Sequence, residues 1–290
     1  MVHRTSLKHR AIEELVSFSF LLPAAFLFFF FVVLPFIQGI PMSFFKWDGF
    51  SKEKTWIGMS NFIDLFSDKS LLSALLRTLQ FTALSVIMSN AIGLAIALII
   101  HRASRFHSIL RTIFFMPFVT SLVLSAFIWA FLYNDVVYRY FNIPSPLGST
   151  TWVIAGLSAI SVWRDAGYCM VIYIAALLAV PSDFYEAAQI EGAGRLRTFF
   201  GITLPCIMSA VTANVTLLLA WGLKVFDYPM AATNGGPGQA SETIALCVYN
   251  NIFHYYKAGY GQAAAFLFTF FVFILTSSVT RAMRNKEIEL

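Results

Sequence analysis

An all-α, polytopic membrane protein with about six transmembrane helices is the fold that the sequence predicts. Hydrophobic residues make up 58% of the 290 positions and charged residues only 12%, too few charges to cover a water-facing surface. Several apolar runs are long enough to cross a bilayer as helix, in which every backbone polar group is paired within its own segment. The short alternating segments of a closed barrel are missing.

The elements follow in order. Arg4, Lys8 and Arg10 in a tail over 1–14 precede an apolar segment over 15–40. That segment is too long for a signal-peptide core and no small-residue cleavage site follows it, so it reads as a retained anchor. Pro23 and Pro35 are expected to kink it. The connection over 42–72 carries Trp47 and Trp56 and reads as an interfacial external loop. Further spans are expected over 73–100, 109–133, 152–180, 204–232 and 260–282.

Charge gives the orientation. The net charge of +5 would suit a nucleic-acid partner in a soluble chain, but here the cations cluster at helix ends. Arg102, Arg105 and Arg111 follow span two, Arg195 and Arg197 follow span four, and Arg281, Arg284 and Lys286 follow span six. With six spans all of these share one side with the N-terminal tail, whereas Lys46, Lys52 and Lys54 are balanced by Asp48 and Glu53. Both termini are therefore expected in the cytoplasm. No nucleic-acid partner is needed to explain the charge.

The polar residues exclude several chemistries. Cys169, Cys206 and Cys247 fall in separate segments, the last in what reads as a polar loop, and no disulfide or metal site is expected. The histidines, among them His3, His9 and His254, lack metal-ligand spacing. Asn234-Gly235-Gly236-Pro237-Gly238 has no Lys-Ser/Thr with which to cradle phosphate. Any ATP hydrolysis therefore belongs to another chain.

The loop over 181–205 is built differently from an ordinary connection. It reads Tyr185-Glu186-Ala187-Ala188-Gln189-Ile190-Glu191-Gly192-Ala193, then Ile202-Thr203-Leu204-Pro205. Asp183 with Glu186 fits a capping box. Ala187 and Ala188 leave a smooth face for a partner, Gly192 supplies a positive φ, and Pro205 opens span five where a missing N–H is harmless. Two short helices with a sharp turn are expected. Glu186 as a simple cap and Gly192 as a simple turn is the plainer alternative.

Span four holds Trp163, Arg164, Asp165 and Tyr168 near its middle, and span five holds Asn214, Trp221, Lys224 and Asp227. Charges at that depth usually face a bundle interior or a wet cavity. Alternatively, Arg164 and Asp165 pair with Asp227 and Lys224 to hold the two helices together, and the aromatics face lipid or other helices.

The loop over 181–205 resembles the cytoplasmic coupling loop of ATP-binding-cassette importer permeases. Leu21-Leu22-Pro23, Trp56-Ile57-Gly58 with Asn61-Phe62, Phe226-Asp227 before Thr233-Asn234-Gly235-Gly236-Pro237, and Gly259-Tyr260-Gly261-Gln262-Ala263-Ala264 are similar to the carbohydrate branch, of maltose and glycerol-phosphate type. Glu191 departs from the Asp more usual there and keeps the acid. The resemblance implies the type I permease fold, one transmembrane permease domain over 15–290. Glu186, Ala187, Ala188, Gly192, Ile202, Leu204 and Pro205 would couple to the ATPase. Trp163, Arg164, Asp165, Tyr168, Trp221, Lys224 and Asp227 would line the substrate path.

It also implies partners: a second homologous permease, two ATPase subunits that carry ATP and Mg, and an extracytoplasmic binding protein that delivers an oligosaccharide or sugar derivative across a bacterial inner membrane. No cofactor is expected on this chain. An acidic, uronate or alginate-like oligosaccharide is a second substrate class, because an arginine fork suits carboxylates. A secondary transporter is the rival from another class and would be expected to show inverted repeats, which are not seen. A membrane-embedded enzyme would want clustered acids, His or Ser in the bilayer, which only Arg164-Asp165 approaches.

The topology is testable by labelling. Single cysteines at Ser104 and Arg195 will react only with reagent on the cytoplasmic side, and one at Lys52 only from outside. Reaction at position 52 from the cytoplasm would refute the six-span arrangement.

Overall fold

The computed structural model describes residues 7–102 and 104–287, with side chains from residue 18 onward. His3 and Arg4 lie outside the described residues. Two compact units carry the chain, residues 1–65 with 251–266 and residues 66–250 with 267–290, where the sequence expectation has one domain over 15–290.

In the first unit, α1 (Leu7–Phe28) runs through a π-helical stretch, Phe29–Val33, into α2 (Leu34–Met42). The expected tail over 1–14 is thus helical from Leu7. Pro23 leaves α1 unbroken, and the irregularity falls just before Pro35. A proline ring collides with the carbonyl four residues back, and a locally widened turn accommodates the conflict. Phe20, Phe26 and Phe31 are well exposed, as suits a helix whose outer face meets lipid.

The connection after α2 is more ordered than its sequence suggests. Two short strands, β1 (Phe45–Lys46) and β2 (Thr55–Trp56), pair antiparallel with Phe45 opposite Trp56, a small addition to an otherwise helical fold. Between them the Asp48 carboxylate accepts from the Phe50 and Ser51 amides at 2.9 and 2.8 Å, which holds it below the usual carboxylate range. Lys54 lies 4.2 Å from the Trp47 ring centroid. Helix α3 (Ser60–Ser67) supplies the buried Asn61, which donates to the Ser43 and Phe45 carbonyls at 2.7 and 3.1 Å. Gly259 is required because a Cβ there would overlap the Phe45 carbonyl.

The second unit is organised by α4 (Lys69–Ile100), capped by Asp68. Next come α5 (Arg105–Val119), α6 (Leu122–Phe131), α7 (Tyr138–Phe141) and α8 (Val153–Ala179). Helix α4 packs most extensively along α8. Small residues permit this, since a Cβ on Gly93 would come within 2.6 Å of the Cys169 Cβ and 2.8 Å of the Ala166 carbonyl. Close approach of backbones is how helices associate where lipid is as apolar as the side chains. Tyr173 adds a hydrogen bond to Asn90 across the same pair. Arg111 donates to the Ile100 and His101 carbonyls at 3.0 and 2.8 Å, satisfying the end of α4.

Beyond α8 come α9 (Ser182–Ile190), α10 (Arg195–Thr198), α11 (Leu204–Cys206), α12 (Met208–Leu223), α13 (Asp227–Thr233), α14 (Ile244–Tyr249) and α15 (Ala258–Arg284). Five helical segments of the described chain are long and apolar enough to cross a membrane, and six if the bent pair Arg195–Cys206 and Met208–Leu223 is one span.

Three expectations are corrected. The span expected over 109–133 is broken at Thr120 and Ser121, where the backbone is extended and the Ser121 hydroxyl caps α6 by accepting from the Leu124 amide. The apolar segment there is Leu122–Phe141 instead. The span expected over 204–232 is not one continuous helix, because the chain bends by 66° between Cys206 and Met208 and leaves the helix again at Lys224. Cys247 lies buried in α14 rather than in a polar loop.

Gly167 is the tightest contact in this unit, because an added Cβ would overlap the Phe114 carbonyl of α5. Gly167→Val will therefore lower unfolding stability by about 1–3 kcal/mol, read as a lower thermal midpoint in detergent. Gly148→Ala, with open space around it, will leave the midpoint unchanged. Equal midpoints for the two variants would remove close packing of α5 on α8 as a source of stability.

Candidate functional site: a docking loop and a polar cavity

The loop after α8 is anchored from beneath. Pro181 is the cap residue of α9, without a side-chain bond. Asp183 therefore already sits in the first turn, and the capping box expected of Asp183 and Glu186 does not form. The acid meets the positive end of the helix dipole instead. Helix α9 ends in a Schellman turn: Gly192 has φ +72°, its amide donates to the Gln189 carbonyl at 3.0 Å, and the Ala193 amide reaches the Ala188 carbonyl at 2.9 Å. These are the two bonds that such a stop requires, and a positive φ favours glycine.

Burial divides the loop's residues. Ala188 is buried and Tyr185 packs on the core of α4, α8 and α12, with its hydroxyl 3.3 Å from that of Thr203. Ala187 is exposed, so the two alanines do not form one smooth face. Glu186, Ala187 and Ile190 are exposed at helical spacing, and Ile190 is 88% exposed with Leu196 at 76%. Neither was singled out in the sequence, although an apolar residue in a polar loop was the available signal. Ile202, Leu204 and Pro205 are half-buried. Pro205 sits before the bend rather than opening the span. Ile207, at the bend, is fully buried.

The second feature is a cavity of about 300 Å³ among α4, the α5–α6 break, α8, α12 and the α12–α13 break. Arg164, Asp165, Trp221, Lys224 and Asp227 all line it. Trp163 and Tyr168 do not. Trp163 packs edge-on against Trp129 at 5.9 Å. Tyr168 stacks on Phe118 at 4.9 Å and leans on Trp221 at 5.5 Å, so it supports the wall from behind.

Arg164 and Asp165 are joined to each other at 2.8 Å, not to Asp227 and Lys224. Asp165 also accepts from the Ser161 hydroxyl at 2.7 Å. The guanidinium donates to the Thr120 carbonyl at 3.4 Å and lies 4.5 Å from the centroid of the Phe118 ring. That carbonyl is free only because the helix breaks there. Ser85 and Tyr228, both 4% exposed, also line the cavity; the Ser85 hydroxyl has no hydrogen-bond partner, and the Tyr228 hydroxyl lies beside the Arg164 guanidinium without a hydrogen bond of standard geometry. A buried unpaired hydroxyl costs about 1–3 kcal/mol, so the Ser85 hydroxyl is poised for a ligand that brings donors and acceptors. In the sequence Ser85 is one serine in an apolar run, and only the fold aims it inward. Among the described residues no three His, Cys, Asp or Glu side chains gather as a metal site.

Apolar spans, an anchored loop with an exposed helical face and a polar cavity among the helices define a membrane transport subunit. Residues 89–286 match the family of binding-protein-dependent transport system inner membrane components, and the chain belongs to that family. It is 31% identical over 265 residues to the probable ABC transporter permease protein YurN of Bacillus subtilis, covering 87% of this chain and 90% of that one. It is 30% identical over 285 residues to the trehalose/maltose transport system permease protein MalF of Thermococcus litoralis, covering 95% and 94%. In fold it is similar to a chain of a bacterial ABC transporter involved in the import of the acidic polysaccharide alginate, with a TM-score of 0.79 at 21% identity over 96% of this chain and 98% of that one.

The buried ion pair gives a stability prediction. Asp165→Ala leaves Arg164 without its carboxylate and will destabilise the fold by about 3–5 kcal/mol, measured as a shift in the denaturation midpoint of the purified chain. An unchanged midpoint would mean that the pair contributes nothing to the fold.

Proposed function

We propose that this permease carries a neutral oligosaccharide or sugar derivative inward, delivered by an extracytoplasmic binding protein and driven by ATP hydrolysis on separate subunits. The observation that carries the substrate class is the cavity: two buried hydroxyls, Ser85 and Tyr228, beside the half-exposed Trp221. Sugar hydroxyls would complete the hydrogen bonds, and a ring would stack on the indole. The cavity's charges balance, Arg164 and Lys224 against Asp165 and Asp227, and Arg164 is already paired with Asp165. This favours an uncharged ligand over a uronate. Relatives named for trehalose and maltose, diacetylchitobiose and starch degradation products support the sugar class.

In this reading a second homologous permease completes the pathway, and two ATPase subunits, with their ATP and Mg, grip the coupling loops through Glu186, Ala187 and Ile190. The loop and both termini lie in the cytoplasm of a bacterial inner membrane. ATP binding and a loaded binding protein must favour the same outward-facing arrangement, because each shifts the equilibrium only by its differential affinity. A secondary transporter would work without the ATPase.

Two experiments test the proposal. Tyr228→Phe and Trp221→Ala should each reduce uptake of a neutral oligosaccharide by reconstituted vesicles about tenfold, at the scale of one lost hydrogen bond or stacking contact, with assembly intact. A steep fall in uptake of an acidic glycan alone in Arg164→Gln would instead favour the uronate reading. Gly192→Pro should leave insertion intact and abolish ATPase stimulation by the binding protein. Normal stimulation in that variant would exclude the loop from coupling.

A further inference from the structure

We infer that the C-terminal half of α15 forms, with α12, a binding site for the phosphate headgroup of an anionic membrane phospholipid. Phe273, Thr276, Ser277, Thr280, Arg281 and Arg284 line one open concavity of about 740 Å³ together with Thr216 of α12. Their spacing places them on one helical face. This face is unusual for a membrane span: a line of hydroxyls that ends in two arginines at the helix terminus.

Three observations point to a lipid. First, Arg281 and Arg284 have no carboxylate partner among the described residues. Their donors are available to phosphate oxygens, for which an arginine fork is well matched. Second, the hydroxyls of Thr216 and Thr280 meet at 2.9 Å, which fixes the two helices at the floor of the concavity. The Thr276 hydroxyl oxygen is buried there without a partner. Third, the depth is that of a headgroup. The arginines close the last turn of a span that runs Ala258–Arg284, and toward the middle of that span Phe273 and Ile274 are 68% and 59% exposed. A phosphate held by the arginines would leave its acyl chains against that apolar wall. A free phosphate ion would make no use of the wall. Basic notches between spans at the membrane surface have the chemistry of anionic-lipid sites.

The test uses the purified full chain with its accompanying subunits, in nanodiscs of phosphatidylglycerol or of phosphatidylcholine. Native mass spectrometry should find phosphatidylglycerol retained over phosphatidylcholine by on the order of tenfold for two surface cations, and the thermal midpoint should be higher in the anionic disc. Arg281→Gln combined with Arg284→Gln should remove both preferences, whereas Arg281→Lys with Arg284→Lys should keep most of them. Inorganic phosphate at millimolar concentration should not raise the midpoint. Equal retention of the two lipids by the unaltered protein would overturn the proposal even if the glutamine variant failed to fold. Stabilisation by inorganic phosphate alone would overturn the lipid assignment. Loss of the accompanying subunits from the glutamine variant with its lipid preference intact would assign the arginines to a protein contact instead.

Discussion

A backbone surrounded by lipid has no water with which to pair its amides and carbonyls, and that constraint shapes three departures from helix in this chain. At the α5–α6 break, Thr120 gives its carbonyl to Arg164. Past the end of α12, the Val225 carbonyl accepts from the Thr243 hydroxyl at 2.8 Å. At the start of α14, the Ile244 amide donates to the Thr78 hydroxyl of α4 at 2.9 Å. A side chain from elsewhere in the chain has been recruited at each of these three points, from α8, from the residue that caps α14 and from α4. Irregular backbone is tolerated at membrane depth only where protein covers it or where it lines a cavity.

The cavity follows from the same constraint. It lies where α5 gives way to α6 and where α12 gives way to α13, so its polar lining and the repair of the broken helices are one structure. Arg164 illustrates this economy: one guanidinium holds a carboxylate, a freed carbonyl and the Phe118 ring. Held in this way it forms part of the wall, while the buried hydroxyls of Ser85 and Tyr228 face the cavity.

The coupling loop is held by packing on its inner side. Tyr185 packs on the core that α4 and α8 make by their close approach, Ala188 is buried beside it in α9, and the buried Ile207 sits at the bend that follows. The inner face of α9 is thus packed against helices that also line the cavity. The loop's outer face keeps exposed apolar side chains, Ile190 and Leu196, which suit a surface that is covered in a larger assembly.

Composition alone determined that the chain spans a membrane, because no arrangement of 12% charged residues can cover a soluble surface. Local chemistry likewise determined the two helices of the loop and the turn at Gly192, since these depend on neighbours in the chain. Of the seven residues that the resemblance grouped, Arg164, Asp165, Trp221, Lys224 and Asp227 line one cavity and Trp163 and Tyr168 do not. Tertiary structure alone decided the rest. Which residue Arg164 pairs with, that Tyr168 backs the wall while Tyr228 lines it, and that Ser85 among many serines faces the cavity all depend on where other helices lie. The helix breaks at Thr120 and Lys224 were hidden for the same reason: an apolar run reads as continuous helix until a distant side chain satisfies the carbonyl that the break exposes.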